Sequence, residues 1–435
     1  MAVSFWHLFV ALVLVACGEN RASLSDAIAK TDLVIRHVNV VDVVGGSVVP
    51  DQLIAIKNGR FTAVMNDPAS WQAGPGVRVI DGTGTYAMPG LWDMHVHVCW
   101  SDTNATLLLP ALLRHGITGV RDMGGDLHTA NSFKQLVTAD PTLGPDIMAC
   151  GPILDGDPPV FPDFTLPLNS SSDVEAVIDS LVANGADFIK VYSLLEGPVS
   201  LRIADHCRMR GVPFAGHLSE LLDPERAIAS GQRSVEHLNR LDDLWNADPV
   251  RLDSIASLMV ENFAWSCPTL VVYDRKARAH EPSLRDTALD ALVPGLQGEW
   301  QQWHLSRTGR YASAHAHDSL RRSFERQLAL VKHMHERGVP LLAGSDLSGQ
   351  AFVYPGIGLH EELELLVQAG LATSEALRTA TIRPAEFFGT QKEHGSIAAG
   401  KQADLLLLTA DPLLSIRNTR TIRTVVHRGS VIELP

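Results

Sequence analysis

Beyond its first seventeen residues the 435-residue chain has no apolar run long enough to cross a bilayer as a helix, which takes about 20 residues. It has no Cys-x-x-Cys pair and no zinc-finger spacing among its five cysteines, so the usual cysteine metal motifs are excluded. Basic residues are outnumbered, 36 against 49 acidic, and the formal net charge is −13. That balance disfavours nucleic acid and anionic membrane surfaces, which recruit Lys and Arg clusters. A small-molecule partner is the default that remains. What the chain does have is bulk: at 46% hydrophobic it can bury one large core plus a smaller satellite.

The N-terminus, MAVSFWHLFVALVLVACGEN, carries an apolar run from Leu8 to Ala16 that is too short to span a membrane and has the shape of a signal peptide. Leu14, Val15, Ala16 and Cys17 resemble a bacterial lipobox, in which the signal is cut before the cysteine and the new terminal Cys17 takes lipid. Residues 2–16 lack the Lys or Arg that usually opens such a signal. The expectation is a signal peptide over 1–16, a linker over 17–32, and export to a bacterial periplasm or outer membrane as a lipoprotein. A plain cleaved secretory signal is the alternative. Cys99, Cys150, Cys207 and Cys267 could then form disulfides, but three of them sit in or beside strand-like runs, which suits buried free thiols equally well.

After the linker, β-branched runs broken by Gly-Gly, Pro-Asp and Asn-Gly read as hairpins up to Pro89. "GSIAAGKQADLLLLTADP" and "TIRTVVHRGSVIEL" read the same way at the other end. The two ends are expected to pair into one small β-sandwich domain over 33–85 and 394–435. Between them, eight strand-like runs alternate with helical periodicity: "LWDMHVHV", "GITGVRDMG", "PDIMACGPIL", "DFIKVYS", "VPFAGHL", "SVEHL", "FAWSCPTL" and "VPLLAGSDL". This rhythm predicts an α/β fold, a (β/α)8 TIM barrel over 86–393, with an open doubly wound sheet as runner-up. Residues 271–335 break the rhythm and read as a helical insertion, a possible cover over the barrel mouth.

A strand buried on both faces should be apolar throughout, yet six ionisable residues fall near the C-terminal ends of five of these runs: His95, His97, Lys190, His217, His237 and Asp346. In a barrel those ends converge on one mouth. Taken singly, His217 or His237 reads as a rim histidine, Lys190 as a snorkelling surface group and Asp346 as a helix cap. Taken together they would be costly in one cavity unless one or two divalent cations compensated them. Two further H-x-H pairs, His315/His317 and His333/His335, fall in helical text. There i and i+2 diverge by about 200°, whereas His95 and His97 on a strand share a face. The helical pairs are expected to be solvated.

The stretches "PGLWDMHVHV", "GADFIKVYS", "FAGHLSE", "SVEHLN", "AGSDLSG", "GLHEELELLVQAGL" and "GSIAAGKQADLLLL" resemble the metal-dependent amidohydrolase superfamily. Within it they resemble the imidazolonepropionase-like and prolidase-like dipeptidase branch with a bridging lysine. The resemblance implies a hydrolase of carbon–nitrogen bonds, a dipeptidase or amidase, holding two divalent ions, zinc first among the candidates. It implies that His95, His97 and Asp346 hold one ion, His217 and His237 the second, and Lys190, as a carbamate, bridges the two. Catalysis would fall to Asp346 and Lys190, with a metal-bridging hydroxide attacking the amide. A low-dielectric site favours the neutral amine that a carbamate needs.

The substrate is open: a dipeptide or N-acyl amino acid comes first, a lactone or organophosphate second, and a non-catalytic periplasmic binding lipoprotein is the distant alternative. Tyr192, Arg240, Tyr273 and the loop "LDGDPPVFPDF" are candidate contacts, with Tyr192 preferred for a substrate carbonyl or carboxylate and Arg240 read more readily as a surface ion pair. His360 is expected to be an outer support of the site or exposed. Homo-oligomerisation is allowed.

Overall fold

The computed structural model describes residues 31–434. The expectations for the signal segment and Cys17 lie outside the described residues. Strands Leu33–Asp42, Ser47–Lys57, Arg60–Asn66, Arg78–Asp81 and Tyr86–Pro89 join Leu405–Leu408, Ile422–His427 and Ser430–Ile432 in one eight-stranded sheet. The seam between the two chain ends is the antiparallel pairing of Leu405–Leu408 with Tyr86–Pro89. Side chains alternate along a strand, which explains why "LLLL" is apolar throughout. Leu405 and Leu407 pack with Ile35, Ile54 and Phe61 inside the small domain, while Leu406 and Leu408 pack in the main core with Met88 and Leu91.

The middle of the chain is the expected (β/α)8 barrel. Leu91–Val96, Ile117–Asp122 and Asp146–Ala149 pair in parallel. Ile189–Val191, Phe214–Gly216, Ser234–Glu236 and Trp265–Cys267 pair likewise, with Ile153–Asp155 beside the first of them and Thr165–Pro167 beyond it. The run "PDIMACGPIL" is thus two short strands rather than one, separated at Gly151, whose φ of +70° ends the extended backbone. Leu154 then pairs with Val191, and the Asp187 amide reaches the Ala149 carbonyl at 2.9 Å, joining the third and fourth positions of the ring. The eighth run makes only isolated bridges, Leu341 to Ser266 on one side and Leu347 to Val96 on the other. Those two bridges link the seventh strand to the first.

The helical insertion is shorter than the sequence suggests. Helix Ala314–Glu336 buries Leu328, Leu330, Val331 and Met334 in the main core, as an ordinary barrel helix does, so the extra segment is mainly the stretch before it, with helix Gln297–Arg310. Its histidines are not all solvated. His315 is exposed, but His317 stacks on His280 at 3.7 Å and His333 pairs with Asp253 at 2.6 Å. Cys99, Cys150, Cys207 and Cys267 are buried free thiols.

Candidate metal centre

The barrel brings all six strand-end residues to one mouth. Asp346 donates its backbone N–H to the His95 carbonyl at 2.7 Å, and His97 donates to Leu347 at 2.9 Å, so the first and eighth runs fix each other's polar residues. His217 and His237 are held in the same way, by the carbonyls of Val191 at 3.1 Å and Cys267 at 2.8 Å. Two of the six sit in left-handed backbone, His237 at φ +59° and Asp346 at φ +57°. Such conformations cost on the order of 1–3 kcal/mol each and persist where the surroundings over-determine them. Close approach needs glycine beside them. A Cβ on Gly344 would fall 2.6 Å from Cys267 Sγ and 2.7 Å from His95 Cβ, and one on Gly216 would fall 2.0 Å from the Val191 carbonyl oxygen.

Each imidazole is aimed by a bond at Nδ1. His95 Nδ1 meets Glu236 Oε2 at 2.8 Å, His97 Nδ1 the Gly124 carbonyl at 3.0 Å, His217 Nδ1 the Ser193 hydroxyl at 2.9 Å and His237 Nδ1 the Thr269 hydroxyl at 2.6 Å. The Nε2 atoms of His95 and His97 then lie 3.6 and 3.5 Å from Asp346 Oδ1. The rings form a chain, His97 to His95 at 5.4 Å, His95 to His237 at 4.7 Å and His237 to His217 at 5.0 Å between centroids.

Burial pushes His95, His217 and His237 well below the ordinary histidine range, so they are neutral donors at pH 7. Burial also acts to lower His97 and to raise Asp346, but the bond between the two reverses both, raising His97 and lowering the carboxyl. Lys190 is 1% exposed and makes no hydrogen bond among the described residues, and its amine lies 5.8 Å from the Tyr192 ring centroid. Burial lowers its amine below the ordinary lysine range, against the pull of Glu236.

These residues fit a metal. His95 Nε2 and His217 Nε2 are buried with no hydrogen-bond partner among the described residues, an arrangement that costs about 1–3 kcal/mol per group if nothing binds there. Donor atoms of His95, His97 and Asp346 lie within 4.8 Å of one another. Neutral imidazoles with a carboxylate suit first-row divalent ions.

Sequence reasoning missed the groups behind the histidines. Arg121 donates from Nη2 to both Glu236 oxygens at 2.8 Å, from Nη1 to Ser234 at 2.9 Å and from Nε to the Met94 carbonyl at 2.6 Å. Asp93 accepts from the Ser345 amide at 2.9 Å and hydroxyl at 2.5 Å, and burial pushes its carboxyl up to about 7. The signal was a charged residue in a buried strand, inside it for Asp93 and Arg121 and closing it for Glu236.

The model of the amidohydrolase family matches residues 86–432. The chain belongs to the amidohydrolase family. This amidohydrolase is 25% identical over 438 residues to an adenine deaminase of Moorella thermoacetica, covering 98% of the chain and 61% of that protein. It therefore spans about three-fifths of the length of that relative. Among solved structures it is similar to a prolidase complexed with N-methylphosphonate-L-proline, at TM-score 0.73 and 23% identity over 93% of this chain and 100% of that one. A Xaa-Pro dipeptidase with bound methionine gives TM-score 0.71 at 19% identity, covering 92% and 99%.

The remaining candidates in this amidohydrolase separate clearly. Tyr192 stacks on His217 with centroids 3.9 Å apart, so it packs against the centre itself. Arg240 is turned inward, its guanidinium donating to the carbonyls of Ser219 and Leu222, which makes it a brace for its loop and not a surface ion pair. Tyr273 accepts from the Leu238 amide at 2.9 Å. His360 is not exposed, and its partners are not site residues: it is buried, with Nδ1 on Thr419 at 2.8 Å and Nε2 on the His115 carbonyl at 3.0 Å.

Proposed function

We propose that this amidohydrolase hydrolyses the carbon–nitrogen bond of a small amide, a dipeptide or N-acyl amino acid. The observation that carries the reading is the pair of buried nitrogens, His95 Nε2 and His217 Nε2, that have no hydrogen-bond partner among the described residues and lie at one mouth. Held there, two divalent ions, zinc first, would supply Lewis acidity to the substrate carbonyl and to water. His95, His97 and Asp346 would hold one ion, His217 and His237 the other, and Lys190 as a carbamate would join them.

The protein's own groups supply the rest. Asp346, kept ionised by His97, accepts a proton from the attacking water at Oδ1 and returns it to the leaving nitrogen. Glu236 keeps the His95 proton on Nδ1, leaving Nε2 as the donor. Tyr192, packed on His217, borders the substrate space. The resemblance to prolidase structures supports an amide of peptide type; the likeness to adenine deaminases supports a second reading, removal of an amino group from a heterocycle.

A panel of dipeptides, N-acyl amino acids, adenine, lactones and phosphotriesters, run on metal-replete enzyme, tests the choice. Turnover confined to adenine, or to lactones and triesters, would overturn the amide reading. Export and lipidation at Cys17 remain part of the proposal, checked by the mass of the mature N-terminal peptide. An unmodified, uncut terminus would refute them.

A further inference from the structure

Helix Leu270–Ala277 follows the seventh barrel strand at the mouth. Thr269, just before it, bonds His237 Nδ1 at 2.6 Å, and the Tyr273 hydroxyl accepts from the Leu238 amide at 2.9 Å. Residues three apart share a helix face, so Lys276 follows Tyr273. Its Nζ lies 5.3 Å from the Tyr273 ring centroid.

The other cations of this segment have carboxylate partners. Arg275 pairs with Asp274 and Glu361, and Arg278 pairs with Asp274 and Glu281. Lys276 has no hydrogen bond and no ion pair among the described residues, although it is half-buried. Burial lowers its amine, and the charges of Asp346 at the centre and of Asp242 oppose that. A half-buried amine beside Tyr273, with no paired carboxylate among the described residues, gains from the arrival of an anion.

The opposite flank is apolar. Trp100 stands 5.8 Å from the His97 ring and stacks on Phe164 at 6.0 Å and Phe161 at 6.5 Å. One flank of the chain of imidazoles therefore offers a cation and the other an aromatic wall.

We propose that Lys276 anchors a substrate carboxylate, so that the amide cleaved here belongs to an amino acid or peptide with its free acid on the His237 flank and an apolar group toward Trp100. The assignment rests on the carbon–nitrogen hydrolase reading above and names its specificity determinant. It also separates the two readings, since adenine has no carboxylate.

The test compares N-benzoylglycine with N-benzoylglycinamide, which present the same benzoyl amide with and without the acid, on full-length metal-replete protein. Binding by calorimetry and kcat/KM are both measured for wild type, Lys276→Met and Lys276→Arg. The expected wild type prefers the acid by about 10- to 100-fold, carried mostly by Kd and KM. Lys276→Met should lose at least about 10-fold more on the acid than on the amide, and Lys276→Arg should keep most of the preference. Equal losses on both probes, or a wild type with no preference for the acid, would overturn the anchor. If no amide is turned over while the binding preference stands, the hydrolase reading fails and the anchor survives.

Discussion

Glu236 and Arg121 meet inside the barrel as a fully buried pair, with Arg121 Nη2 2.8 Å from both carboxylate oxygens. The same carboxylate holds His95 Nδ1, so the charge pair acts on the metal centre through one imidazole. Replacing Glu236 with Gln keeps the shape but weakens the bond that fixes the tautomer. We expect metal affinity to fall by about 10- to 100-fold, read by competition with a chromophoric chelator while circular dichroism stays native. Unchanged affinity would reduce Glu236 to a packing role.

Metal analysis of protein purified without chelator should give about two equivalents per chain, the number the proposed ligand set accommodates. Chelation should then lower the thermal midpoint, because an ion bound only by the native state stabilises it. A single equivalent would refute the two-ion arrangement.

Lys190→Ala should lower kcat by about 100-fold or more, with part of the activity returning on addition of short carboxylic acids that replace the carbamate oxygens. Retained activity in the unrescued variant would exclude a carbamate role.

A pH effect should arise far from the mouth. At the seam between the small domain and the barrel, buried His427 has Nδ1 2.9 Å from Asp404 and Nε2 3.7 Å from Asp146. Burial works against the His427 cation, but Asp404 raises it above the ordinary histidine range; burial would raise Asp404, and His427 brings it below the usual carboxylate range. Stability from His427 is complete below the unfolded histidine value and is lost as pH rises through the raised one. Stability from Asp404 is complete above the unfolded aspartate value and is lost as pH falls through the lowered one. The urea midpoint should therefore be flat from about pH 4 to 6.5 as far as this pair is concerned, then decline, and His427→Gln should remove that alkaline decline. An identical pH profile in the variant would show the pair to be silent.

Leu406, buried in the main core from the terminal strand, should cost about 2–5 kcal/mol when cut to Ala, measured by denaturant unfolding. A loss under 1 kcal/mol would mean the strand docks loosely.

The site was legible where it broke a local rule. A Lys in "DFIKVYS" or a His in "VPFAGHL" contradicts a two-face-buried strand, and the barrel register then gathers such exceptions at one end. Glu236 and Arg121 were not legible because each answers the other across 115 positions of sequence, and a local pattern cannot see a charge being cancelled at that distance. Lys276 was passed over for the converse reason. It lies in a charged stretch where a lysine breaks no rule, and only the pairing of Arg275 and Arg278 leaves it alone. The eighth run was legible as apolar text, yet its backbone is bent through the left-handed Asp346 and Ser348, which replaces a ladder by two bridges.

The seam at Leu405–Leu408 also sets an order of events during synthesis. Tyr86–Pro89 emerges early, and its partner strand comes only after the whole barrel has been made. Until then one edge of the small sheet presents unpaired amides and carbonyls, the kind of edge that recruits a neighbouring chain. Closing so long a loop costs little more than closing a short one, since the entropy grows only as the logarithm of length, but it is slow. Between the synthesis of the two strands the nascent protein thus has a sticky half-sheet, and residues 405–432 act as its built-in cap.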